Sequence, residues 1–147
     1  MIERLDYITI NEPAIKAMLA AKSQMNSIDK ALRALVELRV SQINGCAYCV
    51  DLHTKEARRA GVDQRDLDCL VVWPEVAFFT PAEKAALAWA EALTRVMTDA
   101  APDAIYEQLD EHYSERQVVD LTLIISQMNA WNRLAIGFRH GPEESVS

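Results

Sequence analysis

Two capping boxes begin predicted helices in the second half of the chain. In TPAE (Thr80 to Glu83), threonine precedes glutamate by three residues and proline takes the first helical position, and SERQ (Ser114 to Gln117) repeats the pattern with serine and glutamine. In a capping box the two side chains accept hydrogen bonds from each other's backbone N–H groups. The chain also has only four Gly and five Pro, which is few for the turns of a β fold. The sequence therefore predicts an all-α fold.

Similar start and stop signals divide the rest of the chain. Asn11 caps a predicted helix, Ser27 or Asp29 begins the next, and the Asn44-Gly45 pair ends it. The predicted helices cover residues 11–22, 27–44, 46–60, 63–72, 80–97, 102–112 and 114–136. A chain of 147 residues fits one helical domain, which we expect to span residues 1–147.

The last predicted helix is apolar on nearly every side. Its apolar residues are Val118, Val119, Leu121, Leu123, Ile124, Ile125, Met128, Trp131, Leu134 and Ile136. Such a helix must be covered nearly all round, either as the centre of a core or by a second subunit. We expect Asn129, Trp131 and Asn132 to lie in a subunit interface, with a pocket lining as the alternative. Within this helix, ISQMNAW shares S-Q-apolar-N with the earlier VSQINGC, as a diverged helical repeat or by coincidence.

Charge and hydropathy restrict the partners. A net charge of −7 disfavours binding to nucleic acid or to anionic membranes. The most apolar stretches, LDCLVVW and VVDLTLIISQM, are much shorter than the roughly 20 residues that cross a bilayer. The first residues, MIERLDYITINEPAI, do not follow the basic and then apolar pattern of a secretion signal. We therefore expect a cytoplasmic protein, without membrane or nucleic-acid partners, in a compartment that keeps thiols reduced.

The stretch GCAYCVDLH puts two cysteines and a histidine on one helix face. Cys46 and Cys49 are three residues apart, and Cys49 and His53 are four apart, so both pairs are neighbours on a helix. At a helix N-terminus, unpaired N–H groups and the helix dipole stabilise a thiolate. A nearby imidazole can take the thiol proton. The spacing predicts a reactive dithiol that needs no cofactor.

Two alternatives stay open for these cysteines. A zinc site has four ligands, whereas the chain offers one C-x-x-C, His53 and the distant Cys69, so we expect no metal. A buried structural pair is the second alternative, because free cysteine packs as a small hydrophobe. We expect Cys69 in the core, and His112 and His140 in solvent. Thioredoxin chemistry needs a βαβ pattern, which the helices on both sides of the motif exclude.

A longer part of the sequence resembles a known family. LVELRVSQINGCAYCVDLHTKEARRAGV looks like the core of the AhpD-like alkylhydroperoxidase and carboxymuconolactone decarboxylase-like family, and TPAEKAALAWAEALTR and DLTLIISQMNAWNRLAIGFR resemble its downstream helices. The similarity covers roughly residues 30 to 138, and S-Q-I-N-G-C-x-x-C-x-x-x-H is its specific pattern. The resemblance implies an AhpD-like helical domain with the C-x-x-C at a helix N-terminus, and assembly into a homo-trimer or homo-hexamer.

The same resemblance implies thiol peroxidase chemistry. Cys49 would attack the O–O bond of a hydroperoxide, Cys46 would resolve the sulfenic acid into a disulfide, and His53 would relay the Cys49 proton. An external dithiol, such as a lipoyl protein or another thiol carrier, would reduce the disulfide by exchange. Two further interpretations are disulfide exchange with protein partners and a redox-sensing oligomer with little turnover.

One position departs from the family pattern. Members commonly carry a relay glutamate twelve residues before the first cysteine, where this chain has Ala34. Glu37 lies three residues later, on a neighbouring part of the same helix face. We predict that Glu37 replaces the missing carboxylate and orients His53 or a water, with a solvated surface glutamate as the alternative. Tyr48, between the cysteines, either relays protons as well or packs through its ring.

Overall fold

The computed structural model describes residues 1–144, and every regular element in that range is helical. The predicted all-α fold is therefore confirmed. The helices are α1 (Tyr7–Ile10), α2 (Glu12–Ala21), α3 (Lys30–Asn44), α4 (Ala47–Arg59), α5 (Gln64–Cys69), α6 (Pro81–Thr94), α7 (Val96–Asp99), α8 (Asp103–Asp110) and α9 (Glu115–Phe138). Two 3₁₀ segments, Lys22–Gln24 and Leu70–Glu75, follow α2 and α5.

Both predicted capping boxes form. In the first, Glu83 N–H donates to Thr80 Oγ1 at 3.1 Å and Thr80 N–H donates to Glu83 Oε2 at 2.8 Å. The second box closes in the same way at the start of α9. The helix that the first box begins is shorter than predicted, because α6 ends at Thr94 and a separate turn, α7, follows. The short helix α1 was not predicted; its N-terminal N–H groups donate to Asp6.

Helix α3 occupies the centre of the fold and contacts α4, α6 and α9. Two adjacent faces of α3 are buried. Residues spaced four apart, Leu32, Val36 and Val40, belong to a first apolar cluster that includes Leu121, Ile124, Ile125 and Met128 of α9. Leu35 and Leu38 belong to a second cluster with Ala57, Leu70 and Leu87. Because α4 and α9 both pack on α3, the cysteines at the start of α4 lie next to α9.

Helix α9 is covered on one side within the chain. Its buried residues are Val118, Asp120, Leu121, Ile124, Ile125, Met128, Asn132 and Ala135. Val119, Leu123 and Ile136 stay about half exposed, so a partner subunit on that side remains a prediction. No helix in residues 1–144 is both long and apolar enough to cross a membrane.

The N-terminal segment runs along the end of α9. Arg4 N–H donates to the Phe138 carbonyl at 2.8 Å, and the Tyr7 ring stacks on the Phe138 ring at 5.4 Å. His140, which was expected in solvent, is half-buried between Tyr7 and Tyr48, with its ring 4.4 Å from the Tyr48 ring. The segment thereby forms one wall of the site described next.

The burial predicted for two residues outside the site, His112 and Cys69, is right for the first and wrong for the second. His112 is exposed, as predicted. Cys69 is only half-buried, although the sequence placed it in the core. It is the last residue of α5, where the chain turns into the 3₁₀ segment, and Leu67 and Leu70 take the buried positions on either side.

Candidate active site

A tight turn between α3 and α4 sets the position of both cysteines. Gly45 ends α3 in the left-handed region with φ of 69°, a conformation that costs any residue with a Cβ. Cys46 is then the N-cap of α4, which begins at Ala47, one residue later than predicted, and the Cys46 Sγ accepts a hydrogen bond from Cys49 N–H at 3.4 Å. The Cys46 sulfur is therefore the N-cap acceptor, a position that a side-chain oxygen usually occupies. The predicted C-x-x-C at a helix N-terminus is confirmed.

The two thiols share hydrogen bonds and differ in acidity. Both are free and buried, with Cys46 1% and Cys49 3% exposed. The Cys49 thiol donates to the Cys46 sulfur and lowers the pKa of Cys46 to about 6, against the opposing effect of burial and with help from Cys49 N–H. The same bond, together with burial, raises the pKa of Cys49. At neutral pH the pair therefore holds one proton, on Cys49, and its negative charge lies on Cys46.

The imidazole of His53 lies between two carboxylates. Its Nδ1 is 2.9 Å from Glu56 Oε2 and 3.5 Å from Glu37 Oε2, and the ring is buried. The hydrogen bond from His53 lowers the pKa of Glu56, so Glu56 is an ionised acceptor and Nδ1 carries the proton. The other ring nitrogen, Nε2, is then left as a base in the neutral imidazole.

Glu37 is buried with only 6% of its surface exposed, so the alternative of a solvated surface glutamate is wrong. Its Oε1 accepts from Arg33 Nε at 2.7 Å, while Arg33 Nη1 donates to the carbonyls of Lys22 and Met25 at 3.2 and 3.1 Å. Ala34, at the family's relay position, is buried in the second apolar cluster. A carboxylate therefore reaches the imidazole from almost one turn later on α3.

An apolar cavity of about 280 Å³ opens beside Cys49 and His53. Its lining residues are Tyr7, Ile8, Ile15, Leu19, Lys22, Arg33, Glu37, Tyr48, Cys49, Leu52, His53, Glu56, Ile124, Gln127, Met128, Trp131 and Ala135. Cys46 instead borders a shallow surface depression with Ala47 and Val50. Burial raises the pKa of the Tyr48 hydroxyl, which stays protonated beside the cavity. Two different surfaces therefore reach the two sulfurs.

Glu56 is absent from the sequence prediction, and three residues of α9 were assigned first to a subunit interface. Glu56 follows His53 by three residues, so the helical spacing that paired Cys49 with His53 could have found it. Asn129 and Asn132 were expected in a subunit interface, but both make their hydrogen bonds within the chain, to Asn44. Trp131 lines the cavity, which was the alternative expectation. Nothing local distinguishes these side chains from interface residues, because their partner lies on another helix.

Glu37, His53 and Glu56 are also the set of side chains best arranged to hold a metal ion. Their donor atoms all lie within 4.8 Å of one another, and two carboxylates with one imidazole suit a divalent cation. Arg33 at 2.7 Å from Glu37 and Lys22 at 3.9 Å from Glu56 already balance both carboxylate charges. The arrangement therefore fits an ion-paired proton relay better than a cation site.

Comparisons with known proteins agree with this fold and motif. The model of the carboxymuconolactone decarboxylase family matches residues 13–92. The uncharacterized protein YdfG of Bacillus subtilis is 42% identical over 138 residues, which cover 92% of this chain and 94% of YdfG. The chain therefore belongs to the carboxymuconolactone decarboxylase family, as the resemblance predicted.

Relatives described as AhpD are similar as well. A crystal structure from Agrobacterium tumefaciens, of a protein of unknown function for which an AhpD role in antioxidant defence has been suggested, superposes with a TM-score of 0.92. It is 37% identical, and the match covers 97% of this chain and 100% of that one. The alkyl hydroperoxide reductase AhpD of Maricaulis maris is 34% identical over 70 residues, 44% of this chain and 40% of that protein. The fold is therefore AhpD-like.

Proposed function

We propose that this protein is a thiol peroxidase that reduces organic hydroperoxides with Cys46 and Cys49. The observation that carries the proposal is the apolar cavity of about 280 Å³, whose wall contains both the Cys49 thiol and the His53 imidazole. A cavity of this kind admits the alkyl group of a hydroperoxide and brings its O–O bond to a thiol with a base beside it. The likeness to proteins described as AhpD supports the same reaction.

In the first step, His53 Nε2 takes the proton of Cys49, and the Cys49 sulfur attacks the terminal oxygen of the hydroperoxide. The O–O bond breaks, the terminal OH stays on sulfur as a sulfenic acid, and the alkoxide leaves. The imidazolium then gives its proton to the alkoxide, which becomes an alcohol. Glu37 and Glu56, at 3.5 and 2.9 Å from Nδ1, stabilise the imidazolium while it holds the proton.

In the second step, the Cys46 thiolate attacks the Cys49 sulfur and forms the disulfide. Hydroxide leaves and takes up a proton from solvent to become water. In the reduced pair the hydrogen bond from Cys49 lowers the pKa of Cys46 to about 6, so Cys46 enters the cycle as a thiolate. The dithiol has then lost two electrons and the hydroperoxide has become an alcohol and water. An external dithiol, such as a lipoyl protein or another thiol carrier, returns the pair to its reduced form by exchange.

The proposal is tested by peroxidase assays on wild type, Cys49→Ser and Cys69→Ser. Each protein is given hydrogen peroxide, tert-butyl hydroperoxide and cumene hydroperoxide with several dithiol donors. We expect wild type and Cys69→Ser to consume one peroxide for every two thiols oxidised, and Cys49→Ser to lose turnover. Cys69 is a matched control because it is a free thiol outside the cavity. Full activity of Cys49→Ser would refute the mechanism.

A second candidate function is disulfide exchange with a protein partner. The observation that favours it is that Cys46, the thiol with the lowered pKa, borders a surface depression with Gly45, Ala47 and Val50. A partner disulfide can approach from that side without entering the cavity. The discriminating measurement is the rate at which the reduced pair is oxidised by hydroperoxides and by protein or glutathione disulfides at equal concentration. A redox-sensing oligomer would instead change its native mass on oxidation with negligible turnover.

A further inference from the structure

A cluster of polar side chains lies between α3 and α9, next to the dithiol. Ser41 and Asn132 are fully buried with 0% exposure, in an interior that is otherwise mostly apolar. Asn44 and Asn129 complete the cluster and connect it to the rim of the fold. Buried polar groups persist when they are hydrogen-bonded, and here the bonds also determine which way each carboxamide points.

The orientation begins at a backbone carbonyl. Asn129 Nδ2 donates to the Ile125 carbonyl at 2.9 Å, which leaves Asn129 Oδ1 as the acceptor on the other side. Asn44 Nδ2 donates to that oxygen at 2.9 Å and to Asn132 Oδ1 at 2.9 Å. The carbonyl oxygen of Asn132 therefore faces Asn44, and its NH₂ group faces the opposite way. Asn44 and Asn129 occupy equivalent places in VSQINGC and ISQMNAW, so the two similar segments meet through these residues.

A second carbonyl confirms the direction. The Ser41 hydroxyl donates to the Glu37 carbonyl at 2.8 Å, so its oxygen can only accept from Asn132 Nδ2, at 3.1 Å. The Ser41 carbonyl accepts from Cys46 N–H at 3.1 Å, so the NH₂ group of Asn132, which has a second hydrogen, lies next to the dithiol. The thiol–thiol bond has the largest effect on both sulfurs, and behind it Asn132 acts as a hydrogen-bond donor that lowers the pKa of both Cys46 and Cys49.

We propose that Asn132 is a catalytic residue that donates an N–H to the sulfurs of Cys46 and Cys49 and stabilises their thiolate form. Asn44 and Asn129 are positioning residues, because they hold the carboxamide with its NH₂ group toward the sulfurs. The proposal rests on the proposed function only in that this cysteine pair is the reacting one. It does not depend on whether the oxidant is a hydroperoxide or a disulfide.

The proposed role of Asn132 predicts two effects of removing its N–H donor. A donor stabilises the thiolate and not the neutral disulfide, so its removal slows the reactions of the reduced pair at neutral pH. The same removal shifts the dithiol–disulfide equilibrium toward the disulfide. A residue with a purely structural role would not produce this combination, because a looser site changes stability without moving the pH at which the thiols ionise.

The experiment uses full-length reduced protein and iodoacetamide as the probe. Asn132→Leu replaces the carboxamide by an apolar group of similar shape, Asn44→Ala removes the donor that orients it, and Asn26→Leu changes an exposed asparagine as the control. Alkylation rates of the cysteine pair are measured from pH 5 to pH 9 by mass spectrometry, and the disulfide equilibrium is measured in glutathione redox buffers. Circular dichroism reports whether each variant is folded.

We expect Asn132→Leu to raise the alkylation midpoint by about one pH unit, which slows alkylation about tenfold at pH 5 and only about twofold at pH 7. The equilibrium should move about tenfold toward the disulfide. Asn44→Ala should move both quantities about threefold in the same directions, and Asn26→Leu should match wild type. A folded Asn132→Leu with the wild-type pH profile and equilibrium would overturn the proposal. If that variant does not fold, a wild-type profile and equilibrium in folded Asn44→Ala would overturn it instead.

These readouts use no peroxide, so the two proposals fail separately. A wild-type protein that consumes no hydroperoxide would refute the peroxidase function and leave the alkylation result standing. Conversely, an active peroxidase in which Asn132→Leu leaves both readouts unchanged would refute only the role of Asn132.

Discussion

The substitution Glu37→Gln tests whether a carboxylate from α3 drives the proton relay. Glutamine keeps the length and shape of the side chain, and its carbonyl oxygen can still accept from Arg33 Nε, which now lies 2.7 Å from Glu37 Oε1. The change therefore removes one negative charge 3.5 Å from His53 Nδ1 and little else. The helix and the cavity lining should stay as they are.

The size of the effect follows from these distances. A carboxylate 3.5 Å from an imidazolium is worth about 5 kcal/mol of attraction at an effective dielectric constant of about 20. Arg33 keeps its charge in both proteins, and only part of the imidazolium charge has developed in the transition state of proton transfer. We expect that state to lose about 1.4 kcal/mol of stabilisation, which corresponds to about a tenfold lower rate of Cys49 oxidation. The free energy of unfolding should fall by about 1–2 kcal/mol, because Arg33 exchanges an ionised acceptor for a neutral one.

The assay is single-turnover oxidation of the reduced protein by cumene hydroperoxide, followed by loss of free thiol. Glu56→Gln is the matched control, since it removes the other carboxylate at Nδ1. The Glu56 side chain is one-third exposed, so water screens and replaces it, and we expect only about a threefold lower rate. If folded Glu37→Gln oxidises as fast as wild type, the buried carboxylate has no part in the relay and the reasoning fails.

Three further predictions concern ionisation and stability. Because the pKa of Cys46 is lowered to about 6 by the hydrogen bond from Cys49, wild-type alkylation should have its midpoint near pH 6; a midpoint near the usual value of about 8.5 would contradict the lowered pKa. The reduced protein should also become more stable as pH rises from about 6 to about 8.5, because in this range the unfolded Cys46 thiol is protonated while the folded one is ionised. The oxidised protein has no such thiol and should show no gain; urea titrations of both forms measure the difference. Asp120 is 3% exposed and accepts from Ser27 N, Ser27 Oγ and Arg116 Nε at 3.1, 2.6 and 3.1 Å. Asp120→Ala should therefore lower the free energy of unfolding by about 2–4 kcal/mol, and a loss below about 0.5 kcal/mol in urea titrations would show that water replaces these bonds.

Interactions between neighbouring residues were enough to predict the individual helices. The capping boxes at Thr80 and Ser114 and the stop at Gly45 depend on neighbouring residues, and all three are present in the structure. The spacing of Cys49 and His53 needed only the helical repeat. The same repeat places Glu56 next to His53, although Glu56 lies outside the family motif.

The remaining parts of the site depend on contacts between distant segments. Asn132 meets Ser41 from 91 positions away, and no pattern in either helix specifies that meeting. The burial of Glu37 depends on Arg33, whose guanidinium is held by carbonyls that precede α3. His140 is drawn out of solvent by the aromatic rings of Tyr7 and Tyr48. Tertiary packing determines where these side chains lie. Patterns among neighbouring residues therefore predict solvent or an interface for them.

The bonds of Arg33 have a kinetic consequence. Its guanidinium joins Glu37 to the backbone carbonyls at Lys22 and Met25, in the segment that follows the α2 wall of the cavity. The α2 wall of the cavity and the carboxylate that faces His53 are thus linked through one guanidinium. On the proposed function, a bulky hydroperoxide that orders this wall also orders the carboxylate, so substrate fit should affect kcat as well as KM. Leu19→Ala, which loosens this wall, should lower kcat and raise KM together.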